Sequence, residues 1–537
     1  MVRMTKLNAK IFRFPLPAIA LLFLPVLSVA AEAQNQTKSN ISLVEYGARF
    51  DGVTDDTEAW KRAIKDALSG PWGAVIKVPA GRSVVSETLV VEITGNEGLA
   101  INGEGADISE IIWTKPMDGI RVELVDGSAS TRDAGGTGAK FKMSGVSLIQ
   151  GTPFVKVDTT EPVPAGSTQL HLATTQGLSP GMHIDSFCQR MSNIPPTATI
   201  ARIIDDKTVE LTEKTIGPMP ERVRSGEELT SVDKALYEIV FVQYAGTALT
   251  VRGRSNQQLG VEPPELMISD VSIHGGSGGS VLTAGSCWRD GMVFKDQTTL
   301  RITDTAIRFS RVSPVGTGIT ISGDRSKHRL VSDHHLENVR IQWGEVGISV
   351  CNGDANFEAL MIMNSTIVGS RRAGILADNG GSYSGQLTVT GCHINAGGAA
   401  IKTNGILEVG LCNNYIIVGQ IQSPNPMSIG FHFKNSASMT ITGNLFNFVA
   451  GNRAKESWGM LVDCDESWEG RKIPSIIANN SIFNPPTGGL SFRNHATNIL
   501  VNGNSIVTVG KPIEVAETAK ANIGINQIND KMMNGLE

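Results

Sequence analysis

The sequence predicts an all-β fold, a parallel β-helix with one N-terminal α-helix and a small inserted β domain. Three observations lead to this prediction: the composition, a double repeat of short strand patterns, and a turn-rich stretch in front of one amphipathic segment. The 537 residues include 58 glycines but only 5% aromatic residues, a balance typical of chains with many turns and short strands. A hydrophobic content of 41% is still enough for a large core.

Two strand patterns recur in the second half of the chain and predict how it stacks. The first repeats every 20 to 36 residues at the apolar anchors Ile268, Ile302, Leu336, Ile362, Val389, Val409, Ile441, Ile477 and Val501. The second, which mostly begins with glycine, repeats every 23 to 30 residues from GMVFKD at residue 291 to PIEVAE at residue 512. One such unit cannot bury its own apolar face, but units stacked about 4.8 Å apart can. The repeats therefore predict a parallel β-helix.

The first pattern also predicts a register between neighbouring rungs. Three residues after their anchors, Asn444, Asn480 and Asn504 should stack at one corner, where amide side chains can hydrogen-bond from rung to rung. The same count places Cys392 next to Cys412, with Cα atoms about 5 Å apart, a distance that permits a disulfide. A disulfide and a stacked pair of free thiols both fit this arrangement.

The stretch YGARFDGVTDDTEAW at residues 46–60 predicts a tight turn followed by a short helix. Two glycines suit the turn, and Asp55 with Glu58 fits a variant of the capping box. The aspartate spacing does not match a calcium-binding loop of the helix–loop–helix type. The helix should have one apolar face that needs something to cover, formed by Ala59, Ala63, Ile64, Ala67 and Leu68.

The order of three segments in this part of the chain is specific. VEYGARFDGVTDDTEAWKRAI is followed by VIKVPAG and then by LAINGEG. Over residues 43–112, this arrangement resembles the N-terminal signature of the pectate-lyase-like β-helix proteins related to family 28 glycosidases. The resemblance implies a right-handed parallel β-helix that acts on polysaccharide, with the α-helix capping its N-terminal end. The signature itself implies no catalytic residue.

The first 33 residues predict a secretory signal peptide. Four basic residues precede an apolar run from Ile19 to Val29, and Ala31-Glu32-Ala33 forms a cleavage site of the A-x-A type. We therefore expect a periplasmic or secreted protein that is not held in a membrane after cleavage. An uncleaved N-terminal anchor is the alternative.

The strand patterns divide the rest of the chain into three parts. Residues 34–151 should form the N-terminal cap and the first rungs, and residues 236–537 the main β-helix. Residues 152–235 interrupt the repeat with strands and turns of their own, which predicts a small inserted β domain. This insert could wall a cleft, bind sugar or only add stability.

Charge and cysteine content narrow the range of partners. Cleavage after residue 33 would change the formal net charge from −5 to −8, which does not favour nucleic acid as a partner. The six cysteines form no C-x-x-C pair, and no His/Cys cluster has zinc-ligand spacing. We therefore expect no cofactor, unless a lyase activity uses calcium. The oligomeric state stays open, with monomer and trimer both compatible with the sequence.

Alternation along the second strand pattern predicts a polar strip on the outside of the β-helix. Five outward side chains should lie on four consecutive rungs: Asp378, Lys402, His432, Lys434 and Asp463. Asp354 should lie in the turn one rung earlier. The strip would span about 14 Å, the length of a few sugar units. The alternative is a solvated surface without a catalytic role.

Part of this strip resembles the catalytic motifs of polygalacturonases, in the same order along the chain. Those enzymes carry N-T-D, D-D, G-H-G and R-I-K, and this chain has Asn352-Gly353-Asp354, Ala377-Asp378, Gly391-Cys392-His393 and Ala400-Ile401-Lys402. One aspartate and the arginine are missing here, so the resemblance implies catalytic roles only for Asp354, Asp378 and Lys402. Asp354 and Asp378 would then be the carboxylate pair of a glycosidase.

The same strip also fits a lyase or an epimerase. Both enzymes need a base for the C5 proton of a uronate and positive charge for its carboxylate. Lys402, His432 and Lys434 could supply these functions, with Asp378 and Asp463 as calcium ligands.

Four further residues are candidates for substrate binding. Arg371 and Arg372 could hold an acidic sugar, and Trp343 and Trp458 are placed like sugar-stacking platforms; solvation and core packing are the alternatives. The expected function is a secreted enzyme that cleaves an acidic polysaccharide as a hydrolase or a lyase. A uronate C5-epimerase and a non-catalytic glycan-binding or adhesion protein are the alternatives.

Overall fold

The structure, a computed structural model, describes residues 40–69, 74–94, 98–125, 140–152, 154–161, 163–185, 198–215, 238–253, 265–275, 288–296, 299–309, 316–323, 334–350, 358–380, 384–419, 427–449, 454–529 and 531–534. The predicted signal peptide lies outside these ranges, as do Asp354 and three of the six cysteines, Cys188, Cys287 and Cys351. None of the helices in the described ranges combines the length and the apolar character that a membrane crossing requires.

The chain folds into a right-handed parallel β-helix, and the strands of successive rungs stack into three columns. Column one consists of Asn40–Ser42, Ala74–Val78, Gly98–Gly103, Lys140–Gln150, Glu265–Gly275, Thr299–Thr303, His334–Glu337, Ala359–Met363, Ser384–Thr390, Ile406–Cys412, Met439–Thr442, Ser475–Ala478, Ile499–Asn502 and Ala521–Ile523. Column two consists of Asp51–Asp55, Gly81–Val85, Ser109–Trp113, Ala306–Arg308, Arg340–Gln342, Thr366–Ser370, His393–Ala396, Tyr415–Val418, Leu445–Phe448, Ser481–Phe483, Ser505–Val507 and Ile525–Ile528.

Column three forms a separate sheet on the other side of the apolar core. Its strands are Leu89–Thr94, Ile120–Val125, Ala245–Gly253, Trp288–Lys295, Thr317–Ser322, Val346–Val350, Ala373–Asp378, Ala399–Asn404, Met427–Lys434, Glu456–Cys464, Gly488–Asn494 and Lys511–Val515. Two long strands of column one, Lys140–Gln150 and Glu265–Gly275, also supply the column-two position of their rungs. A last strand, Lys531–Asn534, pairs antiparallel with Ile525–Ile528.

The N-terminal α-helix runs from Thr57 to Ala67 and covers the first rung. It contacts the strands Asn40–Ser42, Ala74–Val78 and Leu89–Thr94. Of the predicted apolar face, Ala59, Ala63, Ile64 and Ala67 are buried and Leu68 is half-buried. Trp60 adds a fully buried indole whose Nε1 donates a hydrogen bond to Ser83 Oγ at 2.9 Å. A 3₁₀ turn, Leu43–Tyr46, packs beside the helix, and another, Glu469–Lys472, lies near the C-terminal rungs.

The aspartates before the helix hold a turn, as the sequence predicts. The buried carboxylate of Asp56 accepts hydrogen bonds from backbone N–H groups, including that of Arg49 at 2.8 Å. The predicted capping box is wrong, because Asp56 is the N-cap residue and Glu58 does not reach back to it. Asp55 instead accepts a hydrogen bond from the backbone N–H of Thr57 at 3.0 Å.

A ladder of buried asparagines runs along the corner between columns one and two. Asn444 Nδ2 donates to Asn480 Oδ1, and Asn480 Nδ2 donates to Asn504 Oδ1, both at 2.9 Å, which confirms the predicted stack. Their backbone N–H groups donate to the same oxygens of the next rung. Asn414 and Asn526 extend the ladder at its two ends. The ladder thus pairs polar groups that are buried at the corner.

The predicted register of column one is wrong by two residues at one strand. Leu411, rather than Val409, pairs with Val389 on one side and with Ile441 on the other. Both candidates are buried in the core. A slip of two residues keeps every side chain on its face of the strand, so the apolar pattern alone cannot distinguish the two registers.

The predicted neighbours Cys392 and Cys412 are therefore not aligned. Cys412 lies opposite Thr390. Asn414 takes the position next to Cys392, and its Oδ1 accepts a hydrogen bond from the Cys392 backbone N–H at 2.9 Å. Both cysteines are free thiols, and burial raises the pKa of Cys392 to about 11.

The glycine that begins most repeats of column three marks a close contact inside the β-helix. A Cβ atom on Gly374 would lie 2.4 Å from Ile394 Cγ2 and 2.6 Å from the carbonyl oxygen of Ala400. A Cβ atom on Gly430 would lie 2.6 Å from Phe446 Cδ1. Glycine at this position lets column three lie against the side chains of column two.

Residues 155–242 depart from the parallel pattern. They contain two three-stranded antiparallel sheets, one formed by Val155–Asp158, Glu238–Val242 and His183–Asp185, the other by Gln169–His171, Thr208–Leu211 and Ile200–Ile203. Their buried apolar side chains form a cluster separate from the core of the β-helix.

Candidate active site on the outer face of column three

Column three presents polar side chains on its outer face in the register that the sequence predicts. One row runs through Leu376, Lys402, His432, Leu461 and Ser491. Two residues farther along the strands, a second row runs through Asp378, Asn404, Lys434, Asp463 and Arg493. Neighbours in a row are about 4.8 Å apart between strands. Lys402 therefore lies beside His432, and Lys434 lies beside Asp463.

Lys402 and His432 are half-buried, and their surroundings lower the pKa of both side chains. For Lys402, burial is the largest cause; the positive charges of Arg372 and Lys434 add to it, and Asp378 opposes it. Burial and the charge of Lys402 lower the pKa of His432 to about 4. His432 is therefore neutral near pH 7, and Lys402 loses its proton more readily than an ordinary lysine.

Asparagine side chains hold the two carboxylates of the second row. Asp378 Oδ1 accepts hydrogen bonds from Asn404 Nδ2 at 2.9 Å and from the backbone N–H of Gly380 at 2.8 Å. Asp463 Oδ1 accepts a hydrogen bond from Asn494 Nδ2. Three rung steps of about 4.8 Å separate the two carboxylates, so they do not share one calcium ion, which needs ligands at about 2.5 Å.

The two arginines predicted to bind substrate differ in their surroundings. Arg371 is largely buried, and its Nε lies 2.6 Å from Glu345 Oε2, so an ion pair occupies its guanidinium group. Arg372 is exposed and acts on the pKa of Lys402. Among the described residues, Arg372, Lys402 and Lys434 form no ion pair, and together they make this part of the face positive.

The two predicted tryptophan platforms are packed against the protein. Trp343 is partly buried, and a Cβ atom on Gly369 would lie 2.3 Å from its ring. Trp458 is 2% exposed, its Nε1 donates to Glu456 Oε1 at 2.8 Å, and the Arg493 guanidinium lies 5.7 Å from the ring centroid. Trp458 therefore has no open ring face on which a sugar could stack.

A cleft of about 760 Å³ lies over the last rungs of column three, and sequence reasoning missed most of its residues. Its charged lining consists of Lys455, Glu456, Arg493, Lys511 and Glu514. Arg493 forms an ion pair with Glu456, and its Nη2 lies 3.8 Å from Glu514 Oε2. The strand register could have pointed to Glu514, because this residue follows Ser491 in the row of Lys402 and His432.

The two carboxylates of the cleft are ionised near neutral pH. Burial acts to raise the pKa of Glu456, but hydrogen bonds from Arg493 and Trp458 lower it overall. A hydrogen bond from Lys511 lowers the pKa of Glu514. Neither group is suited to act as a general acid, which must keep its proton at the working pH.

The outer face of column three thus combines a lysine of lowered pKa, a neutral imidazole and nearby positive charge. Asp354, the predicted partner of Asp378 in a glycosidase pair, lies outside the described residues. Within the described ranges, no group of three or more His, Cys, Asp or Glu side chains is arranged to hold a metal ion. An amine of lowered pKa next to positive charge can take a proton from a carbon beside an anionic group.

Comparison with known proteins addresses the fold. Residues 40–194 match the family described as rhamnogalacturonase A/epimerase, pectate lyase-like. No curated protein matches the chain. The surface adhesin PfbA of Streptococcus pneumoniae is 12% identical, with a TM-score of 0.41 and an alignment that covers 91% of this chain and 94% of that one.

Two further solved structures show the same kind of similarity. The A-module of the Azotobacter vinelandii mannuronan C-5 epimerase AlgE4 is 13% identical, with a TM-score of 0.38 and coverage of 90% of this chain and 99% of that one. The tailspike gp61 of Pseudomonas phage phi297 is 13% identical, with a TM-score of 0.34 and coverage of 87% and 80%. The strand pairing and the family match over residues 40–194 together identify the fold as a pectate-lyase-like, right-handed parallel β-helix.

Proposed function

We propose that the protein is a carbohydrate-active enzyme that abstracts the C5 proton of a uronate in an acidic polysaccharide. One observation carries the proposal: Lys402 and His432 are neighbours on a half-buried face, both with lowered pKa, beside the positive charges of Arg372 and Lys434. The family description that matches residues 40–194 pairs a rhamnogalacturonase with an epimerase, which supports a polysaccharide substrate.

Lys402 is the proposed base. Its lowered pKa increases the fraction of free amine near neutral pH, and a base works best when its pKa lies near the working pH. Arg372 and Lys434 would neutralise the uronate carboxylate and stabilise the negative charge that develops when C5 loses its proton. His432, neutral at this pH, can donate a hydrogen bond to a sugar oxygen or accept one from a hydroxyl group.

Two products follow from this carbanion. In elimination, the electron pair of the C5–H bond forms a C4=C5 double bond, the C4–O4 bond breaks, and O4 leaves with its electron pair and takes up a proton. In epimerisation, O4 stays and C5 takes a proton from the opposite face of the ring. Both reactions use the same base and the same positive charge, so the proposal covers both.

Hydrolysis has less support from the carboxylates that the structure describes; Asp354, the predicted partner of Asp378, is not among them. The two carboxyl groups of a glycosidase lie about 5 to 9.5 Å apart, whereas three rung steps of about 4.8 Å separate Asp378 from Asp463. Glu456 and Glu514 both have lowered pKa values, so that pair lacks the protonated member that a glycosidase needs.

We also propose that the protein meets its substrate outside the cytoplasm, as a secreted or periplasmic protein. The support is the predicted signal peptide of residues 1–33. N-terminal sequencing of the protein recovered from its producing cells should find a mature chain that begins after Ala33. A chain that keeps its first residues and is recovered from the cytoplasmic fraction would contradict this proposal.

The activity is tested with a panel of pectins, alginates and bacterial exopolysaccharides in D₂O. We expect either ultraviolet absorbance from the new double bond together with new reducing ends, or deuterium incorporated at C5 in the NMR spectrum. Lys402→Met should abolish both signals, whereas Lys295→Met, which changes a lysine of the same outer face far from the site, should not.

Two outcomes would contradict the proposal. New reducing ends without the double bond would show a hydrolase. Binding of a polysaccharide without any chemical change would show a glycan-binding or adhesion protein.

A further inference from the structure

The cleft over the last rungs of column three lies at the end of the row that carries Lys402 and His432. That row continues through Leu461 and Ser491 to Glu514, which lines the cleft. Four rung steps of about 4.8 Å place the backbone of Glu514 about 19 Å from that of Lys402, the length of a few sugar units. The cleft volume of about 760 Å³ is typical of ligand-binding pockets. We name this cleft the terminal cleft.

The two carboxylates of the terminal cleft already have partners within the protein. Glu456 Oε1 accepts hydrogen bonds from Arg493 and from Trp458 Nε1, the second at 2.8 Å. Glu514 Oε1 accepts a hydrogen bond from Lys511 Nζ at 2.8 Å, and its Oε2 lies 3.8 Å from Arg493 Nη2. A cationic ligand would therefore have to compete with partners that are already in place.

An excess of positive charge remains in the terminal cleft. Lys455, Arg493 and Lys511 supply three cations against the two carboxylates of Glu456 and Glu514. Lys455 is exposed and forms no ion pair within the part of the chain that the structure describes. The cleft therefore attracts an anionic group more than a neutral or a cationic one.

Arg493 is held in position, and part of its guanidinium group is unused. Its Nε donates a hydrogen bond to Ser491 Oγ at 3.1 Å, its Nη2 contacts Glu456, and its Cζ lies 5.7 Å from the Trp458 ring centroid. Its Nη1 has no hydrogen-bond partner among the described residues. A guanidinium group that is already fixed loses little conformational freedom when it donates to the carboxylate of a ligand.

We infer that the terminal cleft binds the carboxylate of a second acidic sugar, a few residues along the same polysaccharide chain from the sugar at Lys402. This inference rests on the proposed function for the nature of the polymer. Arg372, Lys402 and Lys434 attract negative charge at one end of the row, and Lys455 and Arg493 attract it at the other. Oligomers that reach only one end should therefore bind more weakly than oligomers that reach both.

The surface between the two ends offers little that repels an acidic chain. In the row that leads to the terminal cleft, Leu461 and Ser491 carry no charge. In the second row, Asp463 lies between Lys434 and Arg493, so a cation flanks its carboxylate on each side. An acidic polysaccharide along column three would therefore meet no unbalanced negative charge between Lys434 and Arg493.

The test is isothermal titration calorimetry with the Lys402→Met protein, which should bind the probes without converting them. The probes are oligogalacturonates and oligomannuronates of two or eight residues. In at least one series, the octamer should bind at least about tenfold more tightly than the dimer, because only the octamer reaches both ends of the row. Lys455→Glu, added to the same protein, should raise the Kd of that octamer at least about fivefold. Lys455 is exposed, so the melting temperature should not change.

The matched control is Lys520→Glu, which makes the same change of charge at an exposed lysine near the last rung that does not line the terminal cleft. This variant should bind the octamer like the Lys402→Met protein. An octamer that binds no more tightly than the dimer in both series would overturn the inference. Equal Kd values for Lys455→Glu and Lys520→Glu would overturn it as well.

The binding result can be separated from the chemistry at Lys402. Octamer binding that depends on Lys455, in a protein whose wild type forms no double bond and incorporates no deuterium, would support this inference and contradict the proposed function. Proton abstraction by the wild type, with equal octamer affinity in the two lysine variants, would contradict this inference alone.

Discussion

Two surfaces of the same rungs differ sharply although their backbones are alike. On column three, Lys402 and Lys434 lie with the neutral His432 on a charged, half-buried face. On columns one and two, the outward strand positions that the structure describes within residues 359–507 carry no Asp, Lys or Arg, one glutamate, Glu408, and one histidine, His393. Because strand side chains alternate inward and outward, each column can change its outward row without disturbing the shared core. The comparison shows that each column of a β-helix can carry its own row of outward side chains on one shared core.

The largest expected effect tests the charged face. Lys402→Met and His432→Ala should each lower turnover at least about 100-fold, the usual contribution of a positioned acid or base. The melting temperature should hardly change, because both side chains point away from the core. Turnover is measured on the polysaccharide that the wild-type enzyme processes, and Thr440→Ala, on the outer surface of column one, is the control. If both site variants keep full activity, the contrast between the faces does not reflect catalysis.

The second effect tests the scaffold that both faces share. Asn480→Ala removes an amide with two buried hydrogen bonds. Its Oδ1 accepts one from the Asn444 backbone N–H at 3.0 Å, and its Nδ2 donates one to the Ile441 carbonyl at 2.9 Å. Leaving these buried groups unpaired should lower the free energy of unfolding by about 3 kcal/mol. Urea denaturation measures the loss, and Asn447→Ala, on the exposed surface, should cost less than about 0.5 kcal/mol. Equal costs for the two variants would show that the ladder is not a main support of the rungs.

The third effect concerns a rung whose outer surface still carries charges, those of Glu337 and Arg340. There His334 occupies an inward position between Leu300 and Leu360, and neither of its ring nitrogens has a hydrogen-bond partner. Burial and the neighbouring His335 lower the pKa of His334 to about 3, below its ordinary value of 6.5. The unfolded chain therefore binds this proton more readily than the folded protein as pH falls from 6.5 toward 3. At pH 5 the free energy of unfolding should be about 2 kcal/mol lower for this reason.

His334→Leu should remove this acid sensitivity. The difference in unfolding free energy between pH 7 and pH 5 should become about 2 kcal/mol smaller in the variant. His335→Leu, which changes the outward neighbour, should leave most of the difference in place. An unchanged pH dependence in His334→Leu would mean that this histidine is not the group that titrates.

The smallest effect sharpens the assignment of Lys402 as the base. Its positive neighbour Arg372 lowers the pKa of Lys402, and its negative neighbour Asp378 acts to raise it. The rate should rise with pH as Lys402 loses its proton. Arg372→Gln should therefore move this rise to higher pH, and Asp378→Asn should move it to lower pH, each by a few tenths of a pH unit. Shifts in the same direction would rule out Lys402 as the titrating base.

The sequence predicted some registers correctly and one incorrectly, for a physical reason. In column three, most repeats begin with a glycine that only one alignment brings together, and the rows through Lys402 and Lys434 follow from it. In column one, Val409 and Leu411 are both apolar and both point inward. A pattern with a period of two residues cannot tell them apart, whereas the ladder contact of Asn414 selects Leu411.

The sequence by itself determined the parallel β-helix, its helical cap, and the order of the outward side chains on column three. These depend on periodicity and on local turns, which neighbouring residues encode. Only the tertiary structure decided that Arg371 is paired with Glu345, that Trp458 is buried, and that burial lowers the pKa of Lys402 and His432. These properties depend on side chains one or more rungs away, about 26 to 30 residues along the chain. No local sequence pattern shows which of these distant side chains come into contact.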